Sequence, residues 1–218
     1  MREKIVILGA TPFSSLMRCY LEQDDSREVV AYAVETPYLP GPEFDGRPTV
    51  AFEKLAANYR PTECLLCNTI GYVQMNSVRE RIQKTAAEQG YRMLTYVHPS
   101  SVVNSPLGAG CIVLENSSIG FRNKIGDGCI VWSNVSIPHD CVVGAYSYWS
   151  PGATSCGNVE IGERCFIGAN AVLRNRIKIA PECLIGAGAY LASSVAEPQS
   201  VYTGATASRR KLSARSIF

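Results

Sequence analysis

From Leu107 onward the chain divides without insertion into six-residue units: LGAGCI VLENSS IGFRNK IGDGCI VWSNVS IPHDCV VGAYSY WSPGAT SCGNVE IGERCF IGANAV LRNRIK IAPECL IGAGAY LASSVA. The first position of each unit is Leu, Ile, Val or Trp, except at Ser155. Glycine often follows it, as at Gly120, Gly144 and Gly162, where a bare backbone permits a tight bend after a short strand. The fifth position is mostly small or β-branched, for example Cys111, Ser117, Val135 and Ala153. Such a repeat dictates the architecture before any other feature is weighed. Units of this length with an apolar first position fit a triangular parallel β-solenoid, three units and eighteen residues to a coil. Each coil would bond to the next at about 4.8 Å. Every inward Leu, Ile or Val then contributes on the order of 1.5–3 kcal/mol by burial. The pattern fails at Glu197-Pro198, so the solenoid is expected to stop near Ala196.

The same phase explains five of the nine cysteines, Cys111, Cys129, Cys141, Cys165 and Cys183, as compact apolar fillers on one interior row. A zinc site needs tetrahedral clustering and normally recruits histidines, so no metal is expected. The odd cysteine count in a chain of 218 residues points to reduced thiols and a cytoplasmic setting rather than a secreted disulfide framework. Lys and Arg number 21 against 19 Asp and Glu, which gives no broad field for a polyanion, so neither nucleic acid nor an anionic membrane surface is an expected partner. No apolar run approaches the roughly 18 residues that cross a bilayer. Met1–Ala10 is read as a first strand rather than a secretory segment, its apolar run being too short.

Before the repeats the pattern alternates. KIVILGA reads as a strand entering a turn at Gly9, FSSLMRCYLEQ as a helix and EVVAYAVE as a second strand. TPYLPGPEFDGRP reads as a loop, AFEKLAANY as a helix and ECLLCNTIG as a buried strand. Ser77-Val78-Arg79-Glu80 matches a capping box opening a helix that runs through Gln89 and stops at Gly90. A last strand, MLTYV, leads into the solenoid at His98-Pro99. This alternation predicts a small α/β unit with a Rossmann-like parallel sheet over residues 1–97, followed by the solenoid over 98–208 and a basic tail over 209–218. The first strand-to-helix turn of such a unit is its natural anion site.

Hexad IPHDCV places His139 and Asp140 at a corner outside the core, with Pro138 where glycine is usual. Acyl transfer from a thioester needs a base for the acceptor's proton, and imidazole suits neutral pH. A carboxylate on the far ring nitrogen would fix the tautomer, which gives Asp140 a role. The residue stacked one coil above His139 is Gly157. The other histidine, His98, precedes a proline and reads as a structural junction residue.

With these residues in view the chain resembles the hexapeptide-repeat acyltransferases, and the N-terminal extension with the His-Asp-Cys segment is similar to the branch of sialic-acid O-acetyltransferases and bacillosamine-type nucleotide-sugar N-acetyltransferases. The resemblance covers essentially the whole chain. It implies a left-handed β-helix, a hand that period alone does not reveal. It implies acetyl-CoA as cosubstrate and a homotrimer with sites at subunit interfaces. The activity implied is acetyl transfer to the amino group of a nucleotide-linked sugar for surface glycan synthesis, with sugar O-acetylation or a non-catalytic nucleotide-sugar sensor as alternatives. His139 is then the base and Gly157 the oxyanion donor. Ala169 and Ala187, again eighteen apart, would lie along coenzyme A, and Arg209 and Arg210 of the tail are candidates for its phosphates. Gly9, Thr11, Ser14 and Glu35 would meet the nucleotide, and Asn134 and Tyr148 would shape the acceptor pocket. The sequence departs from the family's glycine-rich turn: GATPFSS keeps Gly9 and replaces the later glycines, leaving the hydroxyls of Thr11 or Ser14 to substitute. Two histidines are too few for the zinc centre of γ-type carbonic anhydrases, and no threonine row marks an ice-binding face.

Overall fold

A computed structural model describes residues 2–204. The first part is a six-stranded sheet in the order β3-β4-β2-β1-β5-β6, built from β1 (Glu3–Leu8), β2 (Arg27–Val34), β3 (Glu43–Phe44), β4 (Arg47–Ala51), β5 (Leu65–Asn68) and β6 (Arg92–Met93). All neighbours pair in parallel except β3 with β4. Helix α1 (Pro12–Glu22) follows β1, and α3 (Ser77–Glu88) precedes β6. The βαβ opening therefore forms as its pattern predicts.

The stretch expected to be a loop contains the hairpin β3–β4. Asp45 and Gly46 both take left-handed backbone, φ 47° and 70°, and join Phe44 to Arg47 in a two-residue turn. Asp-Gly is the usual chemistry of that turn, so the signal was present in the sequence. The AFEKLAANY helix shrinks to a 3-10 turn, Phe52–Lys54, and one turn of α2 (Leu55–Asn58). The capping box at Ser77 does not form. Asn76, at φ 66°, occupies the N-cap without a side-chain bond to the helix, and Glu80 bonds Lys84 and Arg164 instead. MLTYV divides: Arg92–Met93 completes the sheet, while Tyr96–Val97 pairs with Ile112–Val113 and starts the solenoid.

The solenoid has three parallel faces. The first stacks Tyr96–Val97, Ile112–Val113, Ile130–Val131, Tyr148–Trp149, Phe166–Ile167, Leu184–Ile185 and Val201–Tyr202. The second runs from Val102–Val103 through Ser118–Ile119, Ser136–Ile137, Thr154–Ser155 and Val172–Leu173 to Tyr190–Leu191. The third holds Lys124–Ile125, Val142–Val143, Glu160–Ile161 and Lys178–Ile179. Between the regular coils partners lie eighteen residues apart, as Ile130 with Tyr148. In the regular coils the second residue of each pair points inward, so Val131, Ile137, Val143 and Trp149 share one core with the five row cysteines. Winding does not stop at Ala196. Val195 bridges Ile179 and Val201–Tyr202 pairs with Leu184–Ile185, steps shorter than the regular eighteen residues. The shorter coil skips Glu197 and Pro198, which lie outside the paired strands.

The first face carries the α/β unit. Its outward residues Ile112, Ile130 and Tyr148 are buried in one cluster with Ile5, Met17 and Tyr32. Outward residues of the other two faces are exposed in several coils: Val102, Val142, Val172 and Tyr190. Among the described residues no helix is long and apolar enough to cross a membrane, and no three His, Cys, Asp or Glu side chains cluster as a metal site would require.

Candidate functional site

Two places carry the residues singled out by sequence. One is the edge between the second and third faces. Each corner there uses its fourth hexad residue in left-handed backbone: Arg122 at φ 61°, Asp140 at 57°, Asn158 at 60° and Arg176 at 60°. Asp and Asn adopt that region more readily than most side chains. The turn throws the preceding residue onto the edge, so Phe121, His139, Gly157 and Asn175 form a column, one per coil. Pro138 in the second hexad position is accommodated by Gly120 below it: a Cβ there would fall 1.6 Å from the Pro138 carbonyl oxygen.

The His139 side chain is 53 % exposed, and its Nδ1 lies 2.8 Å from Asp140 Oδ2. Its Cε1 and Nε2 sit over Gly157, where a Cβ would fall 2.5 Å and 2.6 Å from them. The flanking amides are committed, Cys156 N–H to Leu173 O and Asn158 N–H to His139 O. Gly157 N–H finds no protein acceptor among the described residues, while its carbonyl accepts from Arg176 N–H. An imidazole with a carboxylate on one nitrogen and an uncommitted main-chain donor beside the other is an arrangement suited to acyl transfer.

Sequence reading missed Arg122. Its Nε donates to Asp140 Oδ1 at 2.6 Å and a terminal nitrogen to Oδ2 at 2.8 Å. The Arg122 hydrogen bond, then that of His139, holds the Asp140 carboxyl well below the usual carboxylate range. Arg122 stands eighteen residues before Asp140, so the coil period was the signal that finds it.

The second place is a cleft of about 720 Å³ at the carboxyl ends of β1, β2 and β5, where open α/β sheets take ligands. Gly9, Thr11 and Glu35 line it, joined by Tyr38, Val73 and Arg81. Gly9 has φ 113°, which strains any side chain, and a Cβ there would fall 3.0 Å from Thr69 Oγ1. Among the described residues the amides of Ala10, in the cleft lining, and Phe13, in the first turn of α1, find no protein acceptor. Glu35 is held by Arg81 through two bonds of 2.8 and 2.9 Å. Ser14 does not belong to the lining: it is fully buried, caps α1 reciprocally with Thr11 and bonds Thr69 at 2.8 Å, so its hydroxyl is spent on structure.

The acceptor-pocket expectation fails for Tyr148. Its ring lies under the α/β unit on the first face, stacked on Phe166, with the Arg79 guanidinium 5.9 Å from its centroid. The first face, which the α/β unit covers, is opposite the His139 edge, because that edge joins the other two faces. Trp149 is fully buried inside the prism, and Tyr146 is buried as well. Asn134 is exposed, but it sits on the edge between the first and second faces. Ala169 and Ala187 occupy that same edge, so one chain does not bring them to His139. Arg209 and Arg210 lie outside the described residues. His98 accepts from Ser100 N–H at its Nδ1, a turn-capping role.

Residues 156–193 match the family model described as bacterial transferase hexapeptide (six repeats). GDP-perosamine N-acetyltransferase of Escherichia coli O157:H7 is 30% identical over 101 residues, 45% of this chain and 46% of that protein, so the match spans about half the length of that curated relative. The crystal structure of PerB from Caulobacter crescentus in complex with CoA and GDP-perosamine is 26% identical, covers 92% of this chain and 94% of its own, and superimposes with a TM-score of 0.79. The acetyltransferase domain of PglB from Neisseria gonorrhoeae FA1090, in complex with acetyl coenzyme A, shares the fold at 24% identity, covering 94% of this chain and 97% of its own with a TM-score of 0.81. Residues 156–193 are thus similar to bacterial transferase hexapeptide repeats, and along nearly the whole described length the fold is similar to those of PerB and the PglB acetyltransferase domain.

Proposed function

We propose that the protein transfers an acetyl group from acetyl-CoA to the amino group of a nucleotide-linked sugar. The observation that carries this reading is the His139 imidazole, held by Asp140 on Nδ1 and lying over Gly157 with its free amide. Nδ1 keeps its proton and donates it to Asp140, which leaves Nε2 unprotonated toward the acceptor. As the amine attacks the thioester carbonyl, Nε2 takes the amine's proton and the charge developing on oxygen meets Gly157 N–H. Collapse expels the thiolate, and the imidazolium proton neutralises it. A hydroxyl acceptor would need the same base; the GDP-perosamine-processing relatives favour the amine.

The nucleotide moiety belongs to the cleft of the α/β unit, with its phosphates on the Ala10 and Phe13 amides and Glu35 on base or ribose. No solenoid residue lines that cleft. His139 stands on the edge opposite the face that carries the α/β unit, and Ala169 and Ala187 stand on another. A site assembled within one chain would leave these parts apart. A homotrimer whose solenoids pack side by side joins one copy's His139 edge to the next copy's Ala169–Ala187 edge, and the exposed Val102, Val172 and Tyr190 of the second face fit such packing. The test is thiol release from acetyl-CoA across UDP-, dTDP- and GDP-linked amino sugars and their hydroxyl counterparts. Release with an amino sugar alone is the expected result; none with any acceptor would overturn the assignment.

A further inference from the structure

We propose that Arg122 is a positioning residue of the His139 site, fixing the plane of the Asp140 carboxylate and offsetting its charge where it faces the imidazole. The proposal rests on the reading of His139 as the base. Its support is geometric. Both Asp140 oxygens accept from Arg122, and the oxygen that meets His139 Nδ1 at 2.8 Å is shared with the guanidinium at 2.8 Å. Arg122 and Asp140 occupy equivalent left-handed corners of successive coils, tied by Asp140 N–H to Phe121 O at 3.2 Å. The carboxylate is therefore held from the coil below while it holds the ring from the side.

Charge makes this more than a strut. A base must begin neutral, and an adjacent bare carboxylate would favour the imidazolium and so delay deprotonation to higher pH. A guanidinium sharing that carboxylate offsets the field yet leaves the hydrogen bond that selects the tautomer. The groups facing His139 are Asp140 beside it, Arg122 in the coil before, and Gly157 with Asn158 in the coil after, neither of which is charged; Arg174 and Arg176 stand on the same edge one coil further. Through the reaction Nδ1–H remains on Nδ1, and only Nε2 gains and then loses a proton.

The experiment is NMR titration of the full chain labelled in its two histidine rings, His98 being identified with His98→Gln. In Arg122→Met the His139 midpoint should rise by roughly one pH unit, and Arg122→Lys should restore most of the difference. The acid limb of kcat/KM for thiol release should move with it. Arg122 is 71 % exposed, so both variants should keep the wild-type backbone spectrum. Coincident midpoints in wild type and Arg122→Met would overturn the proposal. A moved midpoint without thiol release from any acceptor would leave the coupling standing and sink the acetyl-transfer reading instead.

Discussion

The imidazole of His139 lies against the α-carbon of Gly157, one coil along the same edge, so closely that the glycine's missing side chain is the space the ring occupies. Gly157 does not adopt positive φ, so alanine is compatible with its backbone. Gly157→Ala should push the ring aside and reduce thiol release by about 10²-fold or more, the scale of losing an oriented oxyanion donor or base. Because the displaced ring is half-exposed, the thermal midpoint should barely change. Differential scanning calorimetry beside the rate assay separates the two effects.

His139→Ala should lower kcat by roughly 10²–10⁴-fold while leaving acetyl-CoA binding intact, as measured by calorimetric titration. Asp140 stays ionised far below neutrality, since Arg122 and then His139 hold its carboxyl well under the ordinary 3.8. The acid limb of the wild-type profile should therefore show one ionisation, that of His139. A second carboxylate step between pH 4 and 6 would contradict the geometry, and so would an unchanged rate in His139→Ala.

Arg79 is fully buried, and among the described residues no carboxylate pairs with it. Its guanidinium donates to the carbonyls of Ile70 and Gly71 beside the cleft and to those of Gly128 and Tyr146, eighteen residues apart in successive coils. Burial pulls it down to about 10, so it stays charged at neutral pH. Arg79→Met strands four carbonyls and should cost about 3 kcal/mol or more in urea unfolding. The Gln74–Asn76 turn, three consecutive residues at φ 50°, 49° and 66°, should lose protection first in hydrogen exchange, because it follows the Ile70 and Gly71 carbonyls that Arg79 holds and is tied to the solenoid by Asn76 donating to Arg164 O and Cys165 O.

Arg164 ties α3 to the solenoid through Glu80 at 2.7 Å and Glu182 at 2.9 Å. Burial pushes Glu80 up, but bonds from Lys84 and Arg164 outweigh it and leave its carboxyl lowered; Glu182 is lowered by Gln199 and then Arg164. A carboxyl lowered on folding contributes stability that is present above its unfolded value, 4.5 here, and is lost as pH falls through the folded value. The thermal midpoint should therefore drop as pH falls below about 4.5, and Glu182→Gln should lose less over that interval than wild type. Parallel curves for the two proteins would show that this bridge carries no linkage.

The solenoid was legible because burial recurs every six residues and each hexad states its own inward position; the row of Cys111, Cys129 and Cys165 lands inside as that phase requires. The Asp45-Gly46 hairpin was equally local and was overlooked. Two further features were written at a period of eighteen rather than six. Outward residues of the first face, Ile112, Ile130, Tyr148, Phe166 and Leu184, are all large and apolar, against Ser118, Ser136 and Thr154 on the second. That contrast marks where the α/β unit docks and why Tyr148 is not a pocket residue. Arg122 beneath Asp140 is the other.

The order of residues by itself determined the winding, the interior row and the stacking of His139 on Gly157, since each follows from short-range periodicity and the fixed spacing of hydrogen-bonded coils. Only the tertiary structure decided which face is covered, which edge stays open and which hydroxyls and charges are already engaged. Ser14 turned inward to Thr69 and Glu35 clasped by Arg81 are contacts between segments far apart in the chain, and no local pattern encodes the competition among partners that settles them.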